Sequence, residues 1–166
     1  MAGTRVKALR KDIVGRLLRE HSTAAVLFHH GIAERLGLGP TDHKCLDLLR
    51  ERGPMISRDL ADLTGLTSGA ITGVVARLEK AGFVRRDPDP HDQRKQIVTP
   101  IAGRKHGLEA VFGPIHRDAV ALLEGFSPKQ LVAIAEFLSR STDFLYRQAA
   151  LLRASATLAP QGSEHA

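Results

Sequence analysis

Apolar residues recur at steps of three and four from the start of the chain. Val6, Leu9, Ile13, Leu17, Ala24, Phe28, Ile32 and Leu36 keep roughly to one face, which predicts a long amphipathic helix over residues 5–36. Gly37, Gly39 and Pro40 end it. Thr41 is placed to cap a short helix carrying Cys45, Leu46, Leu48 and Leu49, which breaks at Gly53-Pro54. Ser57 is expected to cap a third helix with Leu60, Ala61 and Leu63 inward, and Gly65 supplies the turn after it. Thr67 or Ser68 caps a fourth helix running to about Ala81. Its buried face is Ile71, Val74, Val75 and Leu78, and Gly82 stands just past its end.

After Gly82 the period shortens to two. Residues 83–86 and 96–99 read as strands joined by Asp87-Pro88-Asp89-Pro90-His91-Asp92, a run dense in turn formers. Thr99-Pro100 is expected to open another helix, with Thr as cap and Pro at the first helical position, interrupted at Gly113-Pro114 and reaching about Glu124. Ser127-Pro128-Lys129-Gln130 has the form of a capping box. It precedes a last helix with Leu131, Ile134, Leu138, Leu145, Ala149 and Leu152 at near-heptad spacing. The fold class that follows is mainly α with a small β-hairpin wing. A winged helix-turn-helix core over about 41–105 lies between long helices at about 5–36 and 106–155, all within one domain, 1–155. Residues 156–166 read as a disordered tail.

Composition narrows the function classes. The chain has 166 residues, 43% hydrophobic and 25% charged, which is ordinary globular protein able to bury a core without disulfides. No apolar run approaches the length of a bilayer span, and the first residues lack the apolar stretch of a secretory signal. The single Cys45 excludes a disulfide framework or a cysteine zinc finger within one chain. A cytoplasmic location with no membrane partner is the expectation. The formal charge of +6 divides unevenly: +4 over residues 1–54, +3 over 55–105 and −1 over 106–166. A polyanionic partner therefore belongs to the first two thirds. The amphipathic helices at both ends are too far from the winged core to be covered by it, and a two-fold partner would cover them.

The outer face of the fourth helix carries Gly69, Thr72, Gly73, Ala76, Arg77 and Lys80. Small residues let a helix backbone approach base edges in a major groove. The hydroxyls of Thr67 and Ser68 and the free N–H groups at that end can meet bases or phosphates. The bland alternative is that Gly and Ala merely thin a solvated face. It leaves unexplained why the helix accepts two glycines, at roughly 1 kcal/mol each relative to alanine. In the hairpin tip, Asp92 and Arg94 are two residues apart. In an extended strand they point to one side, so the carboxylate could orient the guanidinium toward a minor groove or phosphate. Arg86 and Lys95 complete the cations expected on this surface.

The stretch from Ile56 to Lys105 resembles the MarR family of bacterial transcriptional regulators. The resemblance is carried by Leu60-Ala61, the Gly65-Leu66-Thr67-Ser68 turn, Leu78-Glu79-Lys80-x-Gly82, Val84-x-Arg86 and Asp92-x-Arg94. The helical arms match the family's plan, so the likeness covers nearly the whole chain. One departure is Thr99-Pro100, where the family usually has Leu-Thr. The resemblance implies a homodimer, joined through its terminal helices, that binds pseudo-palindromic double-stranded DNA as a transcriptional regulator, expected to be a ligand-responsive repressor. The helix of Ser68, Thr72 and Arg77 would enter the major groove and Arg94 the minor groove.

The resemblance also implies a small effector, often aromatic or phenolic. Candidate lining residues are Phe28, His29, His30, His43, Leu46, Phe112 and His116, each of which could equally be plain core or surface. Some relatives sense zinc through His and Glu ligands. Here no HxxxH or HxH pair exists, and only tertiary folding could bring His43, His106 and Glu109 together, so no metal or other cofactor is assigned. Redox sensing is a further alternative, but Cys45 lies among Leu46 and Leu49, away from the position of the reactive cysteine in peroxide-sensing relatives. A small helical enzyme lacks support from any triad order, phosphate loop or metal spacing. An architectural module using the same fold without sequence preference is the remaining alternative.

Overall fold

The computed structural model describes residues 2–92, 94–101 and 105–158. Most of the expected tail, residues 159–166, lies outside them, and residues 156–158 belong to the last helix. The chain divides into two compact units, residues 1–113 and 114–166. Among the described residues no helix is long and apolar enough to cross a membrane.

The first unit begins with the predicted long helix, in three consecutive pieces. Helix α1 (Ala2–Asp12) passes through a π turn (Ile13–Leu17) into α2 (Leu18–Arg35). The wider turn is closed by the Leu18 N–H donating to the Ile13 carbonyl, five residues back. Arg16 spans it on the outside, pairing with Asp12 at 2.7 Å and Glu20 at 3.0 Å. Gly37, at φ 68°, ends the run.

Helix α3 (Pro40–Arg52) starts two residues earlier than predicted. Gly39 is its N-cap and Pro40 its first residue, so Thr41 lies inside the first turn instead of capping it. Strand β1 (Met55–Ile56) runs directly into α4 (Ser57–Thr64). Ile56 is held extended by pairing with Ile97 and becomes the N-cap position, which moves Ser57 inside the helix and removes its expected capping role. Helix α5 (Ser68–Lys80) is capped as read: Thr67 Oγ1 accepts from the Ala70 N–H at 3.2 Å. Gly82 takes the left-handed conformation at φ 74°.

Strands β2 (Val84–Pro88) and β3 (Gln96–Pro100) form the hairpin, and β1 pairs on the other side of β3, giving the order β1-β3-β2, all antiparallel. Thr99 and Pro100 therefore do not open a helix. They lie opposite Arg85 and Val84, and the Ile101 N–H extends the ladder to the Phe83 carbonyl at 2.9 Å. Pro100, which has no N–H to give, stands at the end of its strand, where a ladder tolerates it. Helix α6 (Lys105–Ala121) passes through Pro114 without stopping, contrary to the predicted interruption. An interior proline deletes one helical hydrogen bond and need not end the helix.

The core of the first unit is the face read from the sequence. Ile71, Val74, Val75 and Leu78 of α5 pack with Leu46, Leu48 and Leu49 of α3, Leu60 of α4, and Phe83, Val84 and Val98 of the hairpin, all buried. At about 25 cal/mol per Å² of apolar surface, each such side chain contributes roughly 1.5–3 kcal/mol. That anchorage fixes which face of α5 points outward.

In the second unit, α7 (Pro128–Leu158) opens on the predicted box. The Ser127 N–H donates to Gln130 Oε1 at 2.8 Å, and the Gln130 N–H donates to Ser127 Oγ at 3.4 Å. Leu138, Leu145, Leu151 and Leu152 of α7 remain exposed in the single chain, as do Val6, Leu9 and Val14 near the N-terminus.

Candidate nucleic-acid interface

Burying Ile71, Val74, Val75 and Leu78 leaves Ser68, Gly69, Thr72, Ala76, Arg77 and Lys80 exposed on the far side of α5, with Gly73 half-buried. A methyl group at Gly69 would meet nothing within 4 Å, so the helix is bare there. Thr72 Oγ1 donates to the Ser68 carbonyl at 2.9 Å, leaving its lone pairs outward.

Arg77 is engaged within the protein. Its Nε and Nη2 donate to the two oxygens of Asp42, at 2.8 and 2.7 Å. Asp42 is a buried carboxylate in the first turn of α3. This bidentate pair ties the start of α3 to α5, and it raises the Arg77 pKa through the hydrogen bond from the guanidinium to Asp42. The Arg77 side chain remains more than half exposed. Gly73 acquires a second reason. A Cβ there would stand 3.2 Å from Arg77 Nη1, so the glycine eases the fit of the clamp. Sequence reading missed Asp42, because a partner 35 residues away leaves no local signal.

Arg86 is engaged too: its Nε lies 3.2 Å from Glu79 Oε2 of α5, at a half-buried position. The expected set of cations thus divides. Arg77 and Arg86 hold α5 to its surroundings. Lys80 and Arg94 are exposed, and no side-chain partner engages either among the described residues.

The wing tip corrects the role given to Asp92. Asp92 and Arg94 lie between β2 and β3 and not in an extended strand, so the strand geometry that would let Asp92 aim the Arg94 guanidinium is not present. Its Oδ1 accepts from the Arg94 backbone N–H at 3.1 Å, and its Oδ2 lies 3.6 Å from Lys95 Nζ. Asp89 accepts from the His91 and Asp92 N–H groups at 2.8 and 3.3 Å. The Asp89 N–H in turn donates to the Lys95 carbonyl at 3.0 Å. These carboxylates shape the loop, and the Arg94 side chain projects from it. Lower on the hairpin, Asp87 is held below the usual carboxylate range by a hydrogen bond from Thr99 and then by Arg85, whose Nε donates to both its oxygens at 2.9 Å.

The candidate effector residues are only partly brought together. His29 of α2 and His43 of α3 are neighbours, ring centroids 5.6 Å apart, and Phe28 meets His29 edge-on at 5.4 Å. Leu46 belongs to the core, and Phe112 packs against it. His30 and, in the second unit, His116 are exposed. Burial lowers the His43 pKa below the ordinary imidazole value, against the opposing pull of Asp47. Burial also pushes the Cys45 thiol up to about 11. The side chains of His106 and Glu109, weighed in the metal reading, lie outside the described residues.

Comparison with known proteins bears on the family and the fold. Residues 38–95 match the pattern that defines the MarR family. An uncharacterized HTH-type transcriptional regulator of Bacillus subtilis (strain 168), YcgE, is 38% identical over 130 residues, 78% of this chain and 84% of that protein. Among solved structures, a MarR family protein from Bacillus stearothermophilus superposes with a TM-score of 0.62 at 24% identity, over 87% of this chain and 98% of that one. NadR in complex with 4-hydroxyphenylacetate gives 0.58 at 22%, over 76% and 90%. At such identities the structures speak for the fold.

Proposed function

The chain belongs to the MarR family of transcriptional regulators, and from that premise we propose that it acts as a homodimer on a pseudo-palindromic operator, as a repressor released by a small aromatic effector. The observation that carries the DNA reading is the two-sided character of α5. One face is locked in the core. The other is exposed, small and capped at its N-terminus, with Lys80 beyond it and the exposed Arg94 on the adjoining wing.

In this reading α5 enters the major groove. Thr67, Ser68, Gly69, Thr72 and Gly73 face bases or phosphates, and Arg94 reaches the minor groove with Lys95 beside it. Arg77 and Arg86 add charge, but their first task is to hold α5 through Asp42 and Glu79. Asp92 acts by shaping the loop.

The homodimer is supported by the apolar side chains that the single chain leaves exposed. Val6, Leu9, Leu138, Leu145 and Leu152 find cover in a two-fold partner. The effector reading is supported by the NadR structure with 4-hydroxyphenylacetate and by the Phe28–His29–His43 grouping, which offers aromatic edges beside an imidazole.

The test is binding of the full chain to short duplexes over a salt series, repeated with small phenolic acids. Counterion release makes the expected affinity fall steeply as salt rises, and a phenolic acid releases the preferred duplex. Affinity that is flat in salt contradicts the DNA reading. Affinity indifferent to every phenolic acid contradicts the effector reading.

A further inference from the structure

His29 of α2 and His43 and Asp47 of α3 bring three metal-ligating side chains to one point. The Nδ1 atoms of His29 and His43 stand 3.6 and 3.5 Å from the same oxygen, Asp47 Oδ2. Donor atoms of all three lie within 4.8 Å of one another. A zinc-like ion at its usual nitrogen and oxygen distances in a tetrahedral site sets neighbouring donors about 3.3–3.4 Å apart. Two of these separations are already close to that length.

The local structure explains the convergence. His43 and Asp47 are four residues apart, so one turn of α3 stacks them on one face. His29 arrives from the neighbouring helix. The His43 side chain is 2% exposed, Asp47 25% and His29 39%, so the cluster has a dry floor and an open mouth.

An ordinary ion pair accounts less well for these contacts. His29 Nδ1 is buried and has no hydrogen-bond partner among the described residues, although a carboxylate oxygen stands 3.6 Å away. Lys44 Nζ is 3.9 Å from the same oxygen, but its side chain is 61% exposed and can swing away.

We propose that His29, His43 and Asp47 form a site for one divalent transition-metal ion of the zinc and cobalt class, with solvent completing the coordination. Two imidazoles and one carboxylate suit these ions and are poorly matched to calcium or magnesium, which take oxygen ligands. Occupancy tightens the start of α3 against α2. The residue before His43 is Asp42, which clamps Arg77 on the recognition helix. Resting on the DNA-binding reading above, metal at this site alters operator affinity.

Cobalt(II) is titrated into the full chain, free of added histidines, and followed by visible absorption and calorimetric stoichiometry. The expected result is one ion per chain with the bands of four- or five-coordinate cobalt, displaced by zinc. Asp47→Asn keeps the side-chain shape and all eight histidines. It should weaken binding by about 100-fold or more, since even the partners of metal ligands are worth about 10–100-fold. His29→Gln, at a partly exposed position, should do the same with an unchanged circular dichroism spectrum. Absent bands, or tight binding that survives both variants, overturns the site. DNA binding is then measured with and without zinc. A change in affinity that disappears in Asp47→Asn supports the coupling, and equal affinities overturn it. Failure to bind DNA under any condition overturns the DNA reading while the cobalt result stands.

Discussion

Replacing Arg94 with alanine removes an exposed guanidinium while sparing the loop that carries it. The Arg94 backbone N–H, not its side chain, closes the turn on Asp92, and Asp89 holds the rest of the tip. The variant should therefore melt at the wild-type temperature. Its loss on DNA follows from counterion release. Each cation that neutralises a phosphate contributes about 0.9 to the slope of log affinity against log salt. A homodimer carries two copies, so the slope should become shallower by about 1.8. Taken from a 1 M reference to a physiological ionic strength of about 0.15 M, that is roughly a 30-fold loss of affinity. The assay is fluorescence anisotropy on a labelled operator duplex over a salt series. Arg85→Ala is the control, because the Arg85 guanidinium is already spent on Asp87 and its removal should change the slope less. An Arg94→Ala protein with wild-type slope and affinity would refute the wing assignment.

Other predictions test separate parts of the account. Gly69→Ala adds a methyl group where nothing lies within 4 Å, so it should stabilise the fold by up to about 1 kcal/mol while weakening operator binding. A variant that is more stable and binds DNA as well as wild type would show that α5 is not closely approached there. Cys45 is fully buried with its thiol pushed to about 11, so at pH 8 only about one thiol in a thousand is ionised. A thiol reagent should label the native protein far more slowly than the unfolded chain, and rapid native labelling would contradict its burial. Truncation before Ser127 should give a monomer by light scattering, and a monodisperse dimer would sink the assignment of α7.

The parts of the fold legible in the sequence are those written in local periodicity or capping chemistry. The Ile71, Val74, Val75, Leu78 stripe located the buried face of α5, and with it the outward face. Thr67, Gly82 and the Ser127–Gln130 box marked helix ends through bonds made within a few residues. What escaped depends on distant partners. The two residues of β1 have no period of their own and become a strand only by pairing with β3. Thr99-Pro100 has the chemistry of a helix start, yet pairing with Val84 and Arg85 draws it into a strand. Arg77 and Arg86 look like free cations on a helix-and-strand diagram, because Asp42 and Glu79 reach them only in three dimensions. His29, His43 and Asp47 follow the same logic: helix packing sets one edge of the cluster, and no spacing rule within one segment could find it.

Selection of bound sequences from random duplex DNA by the full chain tests the central claim most directly. The account predicts enrichment of an inverted repeat whose half-sites are centred about one helical turn apart, as two α5 helices of a two-fold dimer require. Recovery of sequences with no shared motif, or of a single asymmetric site, would contradict it.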